Sequence, residues 1–145
     1  MSAKQFLNDT EQAQIKAAIQ NAEKNCSGEI RLFIESKCKA DVLDRAAYVF
    51  EKLQMHQTKL RNGVLFYLAT EDHKFAILGD AGINKEVPDN FWNEVKELVI
   101  SEFKKGKYAD GLSKGIEMAG EKLQTYFPYQ KDDVNELSDD IAFGD

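Results

Sequence analysis

The chain has 145 residues, 43% of them apolar and 30% charged, a balance that fits one soluble globular domain with a core of its own. Five of its six net negative charges fall between Tyr129 and Asp145, where six acids face the single base Lys131. No basic stripe is left to displace phosphate counterions, so nucleic acid is not an expected partner. No apolar run reaches the roughly 20 residues that cross a bilayer, and Met1-Ser2-Ala3-Lys4-Gln5-Phe6 lacks the apolar core of an export signal. These features set the expectation of a cytoplasmic, monomeric protein that does not touch membranes.

In chain order, Asp9-Thr10-Glu11-Gln12 reads as a helix start, with a capping-box-like pairing of Asp9 and Gln12. Ile15, Ala18, Ile19 and Ala22 recur at helical spacing, and Ser27-Gly28 ends the run. From Glu29 to Glu35 the pattern switches to strict alternation, Ile30, Leu32 and Ile34 against Arg31, Phe33 and Glu35, which predicts a strand. A second helix follows near Asp41, with Leu43, Ala46, Ala47, Phe50 and Leu53 on one stripe. Asn62-Gly63 opens a short apolar run, Val64 to Ala69, predicted as a buried strand. Thr70-Glu71-Asp72-His73 breaks it, and Phe75-Ala76-Ile77-Leu78 reads as a third strand.

Strand, helix, strand from Glu29 to Ala69 is a right-handed crossover, so the first two strands should be parallel. The four-residue break makes the second and third an antiparallel hairpin. A third helix is expected from about Pro88-Asp89, with Trp92, Val95, Val99 and Phe103 inward, and a fourth through Leu112, Ile116, Ala119 and Leu123 to Phe127-Pro128. The whole predicts an α/β fold, a three-layer α/β/α sandwich around a mixed sheet of about four strands. Residues 1–128 form the domain and 129–145 an acidic tail, whose Ile141-Ala142-Phe143 can dock as an edge strand or remain unpaired.

Between the third strand and the third helix lies Gly79-Asp80-Ala81-Gly82-Ile83-Asn84-Lys85-Glu86-Val87-Pro88-Asp89-Asn90, bent by glycine and crowded with side-chain oxygen. Hard cations collect such oxygens, so Asp80, Asn84, Glu86 and Asp89 are candidate metal ligands. Asp80, Asn84 and Glu86 fall at positions 1, 5 and 7 of a twelve-residue calcium loop. Lys85 stands where that loop bends at glycine, however, and Phe91 where it needs a bidentate Glu, so this is no EF-hand. The plainer alternative is a polar loop with Asp89 capping a helix. Asp110 is a further candidate ligand whose default role is the cap of the last helix, and Asp132, Asp133, Asp139 and Asp140 could add ligands if the tail folds back.

His56 and His73 lack the clustering of a zinc site. Cys26 and Cys38 are too few for a disulfide framework and are expected to be reduced. No dinucleotide turn, P-loop or nucleophile elbow is present, Cys38 and Arg45 do not flank a phosphate cradle, and no nucleophile, base and orienter can be assembled.

Ser27-Gly28-Glu29-Ile30, Asn62-Gly63-Val64-Leu65, the glycine-bearing loop ending in Pro88-Asp89, and Lys105-Gly106-x-Tyr108-x-x-Gly111-Leu112 come in an order and spacing that resembles the TPM domain family, from about Asp9 to Phe127. The resemblance implies an α/β/α sandwich, a divalent-cation site near the acid-bearing loop, and, for some plant members, acid phosphatase activity. Carried over by position, Asp80, Glu86 and Asp89 lead, with Asp110 next. The loop here is one residue longer than the family's glycine-x-glycine-acid turn and has Asn84 at that point, and the export signal and membrane-anchoring or glycine-rich tail of many members are missing. The leading expectation is a stand-alone, non-catalytic domain that binds Ca²⁺, Mg²⁺ or another divalent cation. A metal-dependent phosphatase is the alternative, and a protein-interaction module that uses its acidic tail is the third.

Overall fold

The structure is a computed structural model that describes residues 2–130 and 135–144. A 3-10 turn, Ala3–Gln5, precedes α1 (Asp9–Asn25), β1 (Glu29–Glu35), α2 (Val42–Lys52), β2 (Gly63–Ala69) and β3 (Lys74–Gly79). Then come α3 (Ala81–Glu86), α4 (Asn93–Lys104), α5 (Tyr108–Leu123) and β4 (Ala142–Phe143). The sheet order is β3-β2-β1-β4. β1 and β2 run parallel from Glu29↔Gly63 to Glu35↔Ala69, and β2 and β3 are antiparallel from Val64↔Gly79 to Ala69↔Lys74, as the crossover and the hairpin predict.

β2 is buried at all seven positions, which explains its unbroken apolar run: both of its faces are covered. Ile30, Leu32, Ile34, Val64, Phe66 and Ile77 face a core shared with α1, α4 and α5. Phe33, Leu65, Tyr67 and Ala76 face a smaller core closed by Ala46, Val49 and Phe50 of α2. Each large side chain fully removed from water contributes about 1.5–3 kcal/mol, so the stripes read from the sequence supply most of the drive to layer. Helix α5 lies close on α4 because Gly115 leaves room; a Cβ there would come within 2.3 Å of Val99 Cγ2.

The helices differ from expectation at four points. The cap of α1 is Asn8, not Asp9: Asn8 is extended, its Oδ1 accepts from Glu11 N at 2.8 Å, and Glu11 Oε1 accepts from Asn8 N at 3.0 Å. The loop after β3 is largely helical, since Ala81–Glu86 forms α3. The next helix starts at Asn93 rather than at Pro88, because Pro88–Trp92 turns to bury Phe91. Helix α5 begins at Tyr108, which leaves Asp110 inside its first turn and Lys107 at the capping position.

The tail docks. Ala142 and Phe143 pair in parallel with Phe33 and Ile34, and Gly144 N donates to Ile34 O at 2.8 Å, which extends the sheet beyond β1. Leu137 packs on the smaller core. Cys26 and Cys38 are buried and not disulfide-linked. No helix among the described residues is long and apolar enough to cross a membrane.

Candidate functional site

The loop acids take separate partners. Asp80 is 6% exposed and caps α3, its Oδ1 accepting from Ala81 N at 2.7 Å. Arg61 grips the same carboxylate with two hydrogen bonds of 2.8 Å, so the charge is met by a guanidinium. That arrangement depends on Gly82, whose N–H donates to Arg61 O at 2.9 Å and where a Cβ would lie 2.2 Å from Leu60 O. Arg61 itself sits at φ +50°, a left-handed backbone conformation that the close contact with α3 holds in place. Asn84 turns its amide to Gly79 O at 2.9 Å. Glu86 and Asp89 are exposed, and Asp110 accepts from Gln14 Nε2 at 2.9 Å on the far side of α5. The five residues are therefore not drawn into one shell. Among the described residues, no three His, Cys, Asp or Glu side chains are gathered as they stand so that they could hold a metal ion.

At the carboxyl end of β1, Glu35 is 2% exposed and is gripped by Arg45 through two 2.8 Å hydrogen bonds, with the Tyr67 hydroxyl also donating to it. Burial alone would raise this carboxyl, but the hydrogen bonds from Arg45 and Tyr67 and the charge of Arg45 bring it below its ordinary value. This carboxylate, too, is matched.

The amino end of β1 is different. Glu23 projects from the last turns of α1, and its Oε2 accepts from Ile30 N at 3.0 Å on the edge of β1. Glu29, 4% exposed, accepts from Glu136 N at 2.5 Å and Leu137 N at 2.7 Å, which fastens the tail across the strand. The tail thereby brings Asp139 into the same cleft as Glu23. Burial, then Asp139, pushes Glu23 up to about 9. Burial likewise raises Glu29 to about 7, with Glu136 adding repulsion, even though the two backbone donors act the other way.

A cleft of about 210 Å³ opens over these groups, lined also by Asn135 and by Ser27 and Gly28. Among the described residues neither glutamate has an ion-pair partner. The cationic contacts go elsewhere: Lys16 meets Asp140 at 2.7 Å, with both side chains largely exposed, a contact of small energetic weight. Asp132 and Asp133, also expected as possible tail ligands, lie outside the described residues.

Sequence reasoning passed over Glu23 and Glu29. One signal was available: Glu23 lies four residues after Ile19 and three before Cys26, an acid on the border of the apolar stripe. For Glu29, nothing local distinguishes a buried carboxyl from the exposed end of a strand.

The model of the TPM domain matches residues 1–122. The chain belongs to the TPM domain family. Among solved structures, the BA42 protein of the psychrophilic bacterium Bizionia argentinensis is 49% identical, with 96% of each chain covered and a TM-score of 0.91. The N-terminal domain of a P. gingivalis protein has a TM-score of 0.71 at 17% identity, covering 86% of this chain and 82% of the other. The N-terminal domain of a Corynebacterium glutamicum protein has a TM-score of 0.62 at 13% identity, covering 91% and 77%. The last two likenesses concern the fold alone. No curated protein matches the chain.

Proposed function

We propose that this TPM domain is a non-catalytic binding protein for a divalent cation, Ca²⁺ above all, and that the ion enters the cleft between α1, the start of β1 and the tail. The observation that carries this reading is the meeting of Glu23 and Asp139 beside Glu29, none of them ion-paired among the described residues, although Lys24 also lines the cleft. Such a group is stable only with a proton or a metal ion among its oxygens. Hard cations take roughly six to eight oxygen ligands, and the lining of this cleft includes, besides the carboxylates, Asn135, Ser27 and Gly28. Glu29 joins the shell only by turning from the amides of Glu136 and Leu137, so binding is coupled to the position of the tail. The sequence-derived ligands are the competing location: Glu86 and Asp89 are accessible there, but Asp80 would first have to leave Arg61. Two buried cysteines without a disulfide fit a reducing, cytoplasmic setting.

Calorimetric titration with CaCl₂ between pH 6 and 8 separates the two locations. In the cleft, the ion displaces a proton held by Glu23, so affinity rises up to about tenfold per pH unit and binding releases protons to the buffer. A site of exposed carboxylates binds with an affinity that is flat above about pH 6. Glu23→Gln should abolish the binding while the protein stays folded. Binding that is pH-independent and survives Glu23→Gln would reject the cleft, and no uptake of Ca²⁺ or Mg²⁺ by the wild type would reject cation binding altogether.

A further inference from the structure

β3 is the other edge of the sheet, and no strand lies outside it among the described residues. Beside its first residues runs a groove of about 510 Å³ that crosses the sheet edge from the first turn of α2 to α4 and α5. Its floor is aromatic. Phe75 meets Phe66 and Phe103 edge-on with centroids 6.0 and 5.6 Å apart, and Phe103 meets Tyr108 at 5.0 Å, so these rings hold one another in place. Ile100 adds an exposed apolar side chain to the wall.

The rim carries positive charge on a protein of net charge −6. Lys104 is exposed, and Lys74 is fixed over the groove by donating to Cys38 O at 3.1 Å and Ala40 O at 3.2 Å. Neither has a carboxylate partner among the described residues. An unpaired strand edge, a half-buried aromatic floor and an unmatched cationic rim together specify an occupant: the backbone edge takes another strand, alternate side chains take the apolar floor, and the side chains between them meet the lysines. At the opposite edge, β4 shows the same mode within the molecule, with Ala142 and Phe143 from an acid-rich segment added to β1.

We propose that the β3 edge is a docking site for an extended peptide of a partner protein in which apolar and acidic residues alternate, bound by strand addition with its acids toward Lys74 and Lys104. This is independent of the cation cleft, which lies at the other edge of the sheet.

The test uses the whole protein labelled with ¹⁵N and the probe acetyl-Glu-Ile-Glu-Phe-Glu-Val-Glu-amide. Saturable shifts of the Lys74 to Ile77 amides and of α4 are expected at micromolar to submillimolar peptide, weakened at least fivefold by Lys104→Glu. The peptide with Lys in place of each Glu should not bind. No saturable shift up to 1 mM, or shifts confined to β1 and β4, would overturn the proposal. So would equal binding of the lysine peptide. If decanoate binds the groove while the peptide leaves the β3 amides unmoved, the groove is a site for small amphiphiles. Shifts at β3 that depend on protein concentration without peptide would instead make this edge a contact between copies.

Discussion

The Asp80 corner and the Glu23 cleft contain the same kind of group and treat it in opposite ways. Asp80 is buried with a guanidinium and a helix N-terminus to receive its charge. Glu23 is half-buried against two further acids and keeps its proton up to about pH 9. The number of acids in a stretch of sequence is therefore a poor guide to where a cation is wanted. What decides is whether the fold has already paired the acid with a base: Asp80 has Arg61, whereas among the described residues Glu23 has no ion pair.

Breaking the first region should have the largest effect. Gly82→Ala drives a Cβ into the Leu60 and Arg61 carbonyls, and the backbone must move to relieve it. A loss of about 3 kcal/mol is expected in urea unfolding, at the upper end for overpacking. Next, Asp80→Ala removes the α3 cap together with the Arg61 contact. The cap alone accounts for about 1–2 kcal/mol, read as a lower urea midpoint at unchanged slope, and Ca²⁺ affinity should be unaltered. If Ca²⁺ binding disappears while the protein remains folded, the ion belongs to the loop and the contrast drawn here collapses.

The second region is probed by pH. Glu23 and Glu29 have raised values in the folded state, so their contribution to stability is complete below the unfolded value of about 4.5. It declines as pH rises, through about 7 for Glu29 and about 9 for Glu23. The melting temperature should therefore fall from pH 5 to pH 9. Glu23→Gln copies the protonated side chain, so it should flatten that fall and melt higher than wild type at pH 8 without added metal. A wild-type profile that rises with pH would contradict this picture. The smallest effect belongs to Glu86→Gln with Asp89→Asn. Both are exposed, and stability should change by less than about 0.5 kcal/mol, with the Ca²⁺ isotherm unmoved.

The fold was largely legible in the sequence because its signals are local or periodic. The alternation from Glu29 to Glu35 and the six-residue apolar run predicted strands in parallel register, and the Ile15–Ala22 stripe predicted a helix against the sheet. The α3 helix was not legible: six residues with one buried apolar side chain, Ile83, carry no periodicity to read. The site was harder for a related reason. Asp139 is distant in sequence from Glu23 and Glu29 and meets them only because β4 registers against β1, while the partner of Asp80 lies nineteen residues upstream in an irregular segment. Local pattern reports which side chains have oxygen. It does not report which of them tertiary contacts will neutralise.

Pairing β1 with β4 joins one of the earliest elements of the chain to one of its latest, and Leu137 is held by a carboxylate 108 positions before it. The buried residues of both hydrophobic layers lie between Ala3 and Leu123, whereas the acid cleft needs Asp139 and is complete only once the tail has docked. By mass action, anything that binds the completed cleft also holds the tail down on the sheet.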